Sequence, residues 1–402
     1  MKAIPYGRQN ITDEDIQAVI EVLKSDYLTQ GPKIAEFEIA FAEYIGCKYA
    51  VAVSNGTAAL HLSALALYIQ PGDKIITTPI TFAASANCVR YCGGEVVFAD
   101  IDPTTYLLDI NTVRKLLLDS PEGTYKGIIP VDFAGNSVNL EEYRQLADEF
   151  GLWIIEDACH APGAYFTDTK DKHQICGNGN YADLAIFSFH PVKHIATGEG
   201  GMITTNDEIL YKKLIMLRTH GITKEKDLFQ NSIEFANGTR AESQKSNSAS
   251  YAGWYYEMQD LGFNYRLTDF QAALGLSQLK RANIGLSRRK EIAQTYYNAF
   301  KDKSYIKGQS GFSEEHAYHL YIIEVNNRKG LYEYLHKNNV FAQIHYIPVH
   351  MMPYYRQLGW KEGDCPIAED YYKHCISLPM YSSLKEDEQE LVIKLILDFY
   401  IF

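Results

Sequence analysis

The sequence lacks any pairing pattern among its cysteines. Cys47, Cys88, Cys92, Cys159, Cys176, Cys365 and Cys375 are odd in number, scattered and free of C-x-x-C spacing, which argues against a disulfide framework and the common zinc sites. A reducing compartment follows as the expectation. No dense Lys/Arg run occurs and the formal net charge is −12, so the electrostatic footprint of a polynucleotide binder is missing. No stretch approaches the length of an uncharged membrane span, and the first residues, MKAIPYGRQNITDED, carry no apolar signal-peptide core. A soluble, cytoplasmic protein is expected. The N-x-[ST] sequons at Asn10, Asn55 and Asn237 then read as chance matches. Walker A, H-E-x-x-H and G-x-S-x-G sequences are absent too.

With 402 residues, 46% of them hydrophobic, the chain can bury a sizeable core and form a large and a small domain. Thr12 opens T-D-E-D, a capping-box-like start, and Ile16, Val19, Ile20 and Leu23 follow at helical spacing, which predicts a first amphipathic helix. From Tyr49 onward short apolar runs alternate with helix-compatible segments. YAVAV (49–53), KIITT (74–78), EVVFA (95–99), GIIPV (127–131), LWIIE (152–156), LAIFS (184–188) and MITT (202–205) read as buried strands of an α/β domain with a mostly parallel sheet. Ligands of such sheets collect beyond the carboxyl ends of the strands.

Residues 223–250 are polar and poor in aliphatics and read as a long mobile surface loop that interrupts the fold. RLTDFQAALGLSQLKRA (266–282) is strongly helical, and the remainder mixes short strands and helices. The expected division is an N-terminal arm and large domain over 1–258 and a small α+β domain over 259–402.

Several short segments carry chemistry. SNGTAALHLSALAL (54–67) follows a strand and opens a helix, so backbone N–H groups near Gly56 and Thr57 can face an anion; an ordinary N-cap by Ser54 or Asn55 explains the same residues. EDACHA (156–161) puts Asp157 and His160 at a strand's carboxyl edge, as a helix cap or as a carboxylate for a cationic ring nitrogen. Phe82, in PITFAAS (79–85), can stack on a planar ring or simply pack. FSFHPVKHIATGEGG (187–201) sets Lys193 between a strand and a glycine-rich turn. GNGNYA (177–182) matches the dinucleotide fingerprint formally, but a strand follows it instead of a helix. An anion site, an aromatic face, an acid and a lysine together describe one ligand, pyridoxal 5′-phosphate (PLP), whose chemistry needs a Schiff-base lysine and an acid on the pyridinium nitrogen.

LTQGP (28–32), SNGTAALHLSALAL, TTPITFAASAN (77–87), EDACHA, FSFHPVKHIATGEGGMITTND, GFNYRLTDFQAALGLSQL (262–279), AQIHYIPVH (342–350) and SLP (377–379) resemble the DegT/StrS family of PLP-dependent nucleotide-sugar aminotransferases over nearly the whole chain. The resemblance implies fold type I, the aspartate aminotransferase-like architecture. It makes Lys193 the Schiff-base lysine, with the phosphate on Gly56, Thr57 and Ser188, a ring face under Phe82, the ring nitrogen on Asp157 and the ring hydroxyl near His160. Asn264 resembles the residue lent to the phosphate by a neighbouring subunit, which implies a homodimer with shared sites. Tyr6 and His345 are candidate sugar or nucleotide contacts, and no metal is implied. The subgroup it most resembles makes UDP-4-amino-4,6-dideoxy-N-acetyl-β-L-altrosamine for pseudaminic acid, with L-glutamate as donor. Other readings stay open: the D-configured UDP-4-keto-6-deoxy-GlcNAc of a bacillosamine-type pathway, a dehydratase branch in which histidine replaces the lysine, a cofactor-binding regulator without turnover, and an amino-acid enzyme on the same scaffold.

Overall fold

The computed structural model describes residues 3–238, 250–308 and 311–401. Its centre is a seven-stranded sheet. We label the strands β1 (Tyr49–Val53), β2 (Lys74–Thr77), β3 (Glu95–Phe98), β4 (Tyr125–Ile129), β5 (Trp153–Asp157), β6 (Leu184–Ser188) and β7 (Gly201–Thr205). Their spatial order is β1-β7-β6-β5-β4-β2-β3. β7 runs antiparallel to β1 and β6, and the β6-β5-β4-β2-β3 pairs are parallel. Each predicted apolar run is one of these strands. The strands are apolar almost throughout because helices cover both faces of a parallel sheet.

Helix α1 (Asp13–Leu23) begins with the predicted capping box: Asp15 N–H donates to Thr12 Oγ1 at 3.4 Å, and Thr12 N–H donates to Asp15 Oδ2 at 3.0 Å. α2 (Pro32–Ile45) carries Pro32 in its first turn, where no N–H partner is lost, and stops at the left-handed Gly46. Phe37 and Phe41 from α2 meet Phe187 and Phe189 around β6, forming a fully buried aromatic cluster on one face of the sheet. Each such ring contributes roughly 1.5–3 kcal/mol through burial. α3 (Gly56–Ala66) follows β1 directly and is buried along nearly its whole length, so its first turn is fixed to the sheet edge.

A second core gathers around a three-stranded antiparallel sheet, Ile306–Gly308, Tyr321–Val325 and Cys375–Leu378. Ile292, Tyr296, Leu331, Leu335, Val392 and Ile396 from three helices close over it. Ile4, from the two-residue parallel pairing of Ile4–Pro5 with Val340–Phe341, is buried in the same core. The start of the chain is thereby tied to its last quarter.

The segment 223–250 departs from the loop expectation. Ile222–Thr223 pairs antiparallel with Glu257–Met258. The N–H groups of Gln230 and Asn231 donate to the Glu257 carboxylate at 2.7 and 2.9 Å, and Phe229, Tyr251 and Tyr255 form an aromatic cluster. The polar composition conceals this structure because much of what orders it, Glu257 and two of the rings, lies after residue 250. Residues 239–249, the rest of that segment, lie outside the described residues. The GNGNYA turn leads into β6 and opens no helix, as its rejection as a nucleotide fingerprint requires.

Gly201 at the start of β7 is where the sheet meets the α3 turn most closely. A Cβ there would lie 2.6 Å from the Asn55 carbonyl atoms and 2.9 Å from Gly56 N. Gly201→Ala is therefore expected to destabilise the fold by roughly 1–3 kcal/mol in chemical denaturation, as overpacking does, and to push the first turn of α3 out of place.

Candidate active site

The carboxyl ends of β1, β2, β4, β5 and β6 open into a cavity of about 430 Å³ lined by both cores. This is the size and position at which α/β sheets hold small ligands. Tyr6, Gly56, Thr57, Phe82, Asp157, His160, Ser188, Lys193 and His345, all singled out from the sequence, line it. Asn264 does not: it is exposed, with a bridge to Thr219, away from the cavity of its own chain.

At the β1 end, Asn55 caps α3 by accepting from Ala58 N–H at 2.8 Å. The ordinary N-cap is thus present, and it leaves the N–H groups of Gly56 and Thr57 at the helix's positive end. Gly56 is needed for proximity: a Cβ would lie 3.0 Å from Ser188 Cβ and 3.6 Å from Cys159 Sγ. Backbone donors, a serine hydroxyl and a helix dipole converge there, which is the donor set of a phosphate site.

Asp157 ends β5 and is 5% exposed. Its Oδ2 accepts from Ser85 Oγ at 2.6 Å and its Oδ1 from Cys159 N–H at 3.2 Å. Ser85 in turn bonds Thr81 Oγ1 at 2.8 Å. No cation pairs with this carboxylate among the described residues. Ser85 and Thr81 escaped the sequence reading, although both lie in the quoted TTPITFAASAN stretch.

His160 is buried and neutral. Ala134 N–H donates to its Nδ1 at 3.2 Å, so the ring proton sits on Nε2, facing Tyr346 Oη at 3.3 Å. Burial, then the Lys193 charge, holds its pKa well below the usual imidazole range. Phe82 is 63% exposed at the cavity mouth, its ring 6.4 Å from that of Tyr346. The Tyr6 and His345 rings are 5.1 Å apart on the opposite wall.

Lys193 follows β6 in a tight turn, its N–H donating to His190 O at 2.9 Å. Its Nζ reaches His319 Nε2 at 3.5 Å. Burial lowers the amine's pKa; the Cys159 and Asp157 side chains oppose this and the Arg289 charge adds to it. His319, 126 positions away, has no local motif that would reveal it.

These residues fit PLP. A phosphate cradle, an unpaired buried carboxylate and an amine with a depressed pKa surround one cavity large enough for a pyridine ring. The fold and site are those of a PLP-dependent aminotransferase of fold type I. Residues 9–397 match the DegT/DnrJ/EryC1/StrS aminotransferase family, and the chain belongs to it. Its cofactor is PLP, which solved neighbours of the same fold carry in pyridoxal and pyridoxamine forms. The chain is 38% identical to the spore coat polysaccharide biosynthesis protein SpsC of Bacillus subtilis, over 98% of this chain and 96% of that one. It is 34% identical to the UDP-4-amino-4,6-dideoxy-N-acetyl-β-L-altrosamine transaminase of Campylobacter jejuni, over 97% and 95%. The structure of Helicobacter pylori PseC, an aminotransferase involved in the biosynthesis of pseudoaminic acid, superimposes with a TM-score of 0.85 at 32% identity over 100% of both chains. The chain is thus a nucleotide-sugar aminotransferase. Among the described residues, no helix is long and apolar enough to cross a membrane.

Behind Asp157 lies a second buried pair. Asp132, Glu156 and Cys176 bring one side-chain atom each within 4.8 Å of one another. Asp132 Oδ1 accepts from Val138 N–H at 2.9 Å, and both Glu156 oxygens accept from Gly177 N–H at 2.9 Å. Burial raises both carboxyl pKa values; Asp132 raises that of Glu156 further, whereas the Glu156 hydrogen bond opposes the rise at Asp132. Burial and the Asp132–Glu156 contact favour keeping a proton on the pair, and Asp132 Oδ2 has no other partner among the described residues. The folded pKa lies above the unfolded one, so this contribution to stability is full below about pH 4 and is lost as pH rises toward neutrality. Asp132→Asn should reduce that loss, leaving the part due to the burial of Glu156: between pH 5 and pH 8 the wild type should lose on the order of 1–3 kcal/mol more than the variant in urea titrations.

Proposed function

We propose that the chain moves an amino group from L-glutamate to C4 of a UDP-linked 4-keto-6-deoxy-HexNAc, giving UDP-4-amino-4,6-dideoxy-N-acetyl-β-L-altrosamine. The observation that carries the reading is one cavity bearing Lys193, Asp157 and the α3 turn, in a chain alignable end to end with enzymes named for that product. When bound, PLP supplies an electron sink for the bond being broken at the amino carbon.

The chain's own residues then divide the work. The Gly56 and Thr57 N–H groups and the Ser188 hydroxyl hold the phosphate. Asp157 keeps the ring nitrogen protonated, and Ser85 and the Cys159 N–H hold that carboxylate in line. Phe82 covers a ring face, and His160 presents its Nε2–H side toward the ring hydroxyl, shared with Tyr346. Lys193 takes the proton from the donor's α-carbon and returns one to C4 of the sugar, a task suited to an amine whose pKa is lowered by burial. Tyr6 and His345 contact the sugar nucleotide. Asn264, exposed and outside its own cavity, reaches the phosphate of a second subunit in a homodimer. Soluble, cytoplasmic operation fits a UDP-sugar and an amino acid as substrates.

The similarity to SpsC, higher in identity than that to the altrosamine enzyme, supports a second reading in which the same chemistry acts on another 4-keto sugar. The test is the visible absorbance of the pyridoxamine-loaded enzyme on adding UDP-4-keto-6-deoxy-L-arabino-HexNAc, with the D-configured epimer in parallel. Return of the pyridoxal spectrum and a new amino sugar by mass with the first compound alone supports the altrosamine product. A response to the epimer alone moves the substrate, and silence with both sinks the UDP-4-keto-6-deoxy-HexNAc assignment. Lys193→Ala is expected to fold normally and lose at least roughly 10²-fold in turnover, the low end of what general base catalysis supplies; wild-type rates in that variant would refute the role of Lys193.

A further inference from the structure

Lys193 sits within a cluster of histidines. His319 is 4% exposed, with Nε2 3.5 Å from Lys193 Nζ and its ring centre 4.3 Å from that of His160 and 5.8 Å from that of His194. Its Nδ1 is buried and has no hydrogen-bond partner among the described residues. Such an orphan is costly to maintain, and the backbone carrying it is unusual as well. Tyr318, the preceding residue, has φ +50°, a left-handed conformation that a bulky residue adopts only where its surroundings impose it.

Those surroundings are specific. Arg289 is 3% exposed, and its Nη1 donates to the carbonyls of Tyr318, His319 and Met380 at 3.2, 3.2 and 3.0 Å. From the other side, Ala317 N–H donates to Gly135 O at 2.8 Å and Leu320 N–H to Ala134 O at 3.1 Å. A Cβ on Gly135 would lie 2.9 Å from Tyr318 N and 3.0 Å from His319 N, so this corner presses against the His319 backbone. A guanidinium and a glycine corner together hold one imidazole against the lysine.

We propose that His319, held from behind by Arg289, is a positioning residue that accepts a hydrogen bond from the Lys193 amine and so turns the amine's free lone pair toward the cavity. A charged lysine has only donors to offer, so His319 must meet it with a bare Nε2 and carry its proton on the orphaned Nδ1. When the amine is neutral, the same bond occupies one N–H and leaves the lone pair free. A relay role is disfavoured by charge: burial, and then Lys193, His160, His194 and Arg289, all oppose an imidazolium at His319. The titratable and charged groups facing Lys193 are Asp157, the Cys159 thiol and His160 at the β5 end, His194 beside it in the chain, Arg289 behind His319, and His345 on the opposite wall. His319 opposes their net desolvating surroundings by stabilising the charged amine.

The inference rests on Lys193 being the lysine that serves the cofactor, and its test reads that lysine directly. In the pyridoxamine-loaded enzyme the Lys193 amine is free. Its acetylation by acetic anhydride, quantified on the Lys193 peptide by mass spectrometry from pH 6 to pH 11, gives its titration midpoint. In His319→Phe the midpoint should fall by about one pH unit, as loss of a hydrogen bond to the charged form requires. His319→Gln, which offers a neutral acceptor, should restore most of it. The same His319→Phe enzyme should lose roughly tenfold in kcat with KM for the donor changed less than about threefold. A midpoint within about 0.3 unit of wild type in His319→Phe, with unchanged circular dichroism and thermal unfolding, would overturn the proposal. If His319→Phe does not fold, His319→Leu takes its place under the same criterion. A wrong sugar assignment leaves this readout untouched, whereas failure to bind pyridoxamine phosphate at all would sink the functional reading instead.

Discussion

A buried carboxylate with no counter-ion among the described residues is the constraint around which this molecule is arranged. Asp157 is 5% exposed at the carboxyl end of a central parallel strand, and its bonds come from a hydroxyl and one backbone N–H. Burying a charge costs several kcal/mol unless it is paired, and charge-assisted hydrogen bonds offset only part of that. The cost makes sense if a cation arrives from outside the chain. A protonated ring nitrogen is such a cation, and the first turn of α3, the lysine beyond β6 and an aromatic ring at the mouth line the same cavity as this carboxylate.

The surrounding histidines sharpen the electrostatics. His160, His194, His319 and His345 are all pushed below the usual imidazole range, chiefly by burial. They therefore supply hydrogen-bonding atoms without adding positive charge beside Lys193, whose amine has to exist part of the time without its proton. The Asp132 and Glu156 carboxyls behind Asp157 follow the same logic with opposite sign. Sharing a proton, they add less negative charge at the back of the site than two carboxylates would, so the charge that faces the cavity is Asp157's own.

Local pattern made much of this legible. Every central strand appears as an apolar run, and the turn, aromatic residue, acid and lysine read from the sequence all lie just beyond strand ends that line one cavity. What sequence could not show is contact across distance. Lys193 and His319 are 126 positions apart, and Arg289 reaches Met380 across 91; neither pairing leaves a local signature. Asn264 shows the limit from the other side, since no property of one chain brings an exposed residue to a cavity it does not line. Within 223–250, composition pointed away from structure because part of the ordering contacts comes from beyond the segment's end.

The two walls of the cavity are built by different means, and this bears on specificity. The cofactor side belongs to strand ends fixed by the central sheet, where a single added methyl, as at Gly56 or Gly201, would collide with backbone or side chain. The opposite wall belongs to the second core. His345 is held by Ser377 Oγ at 2.9 Å and by the Tyr371 hydroxyl donating to its carbonyl at 2.6 Å, and Tyr6 reaches it from the far end of the chain, its own carbonyl accepting from Met380 N–H at 2.9 Å. In the proposed reading, substitutions there would change the contacts a sugar meets without disturbing the sheet edge. If the sugar lies against that wall as proposed, a hydroxyl of inverted configuration would lose a hydrogen bond there and leave a buried polar group unpaired, which is the larger source of discrimination in enzyme sites. In the proposed reading, the cofactor side is thus set by the sheet edge and the sugar side by the second core, two parts of the fold that can vary separately.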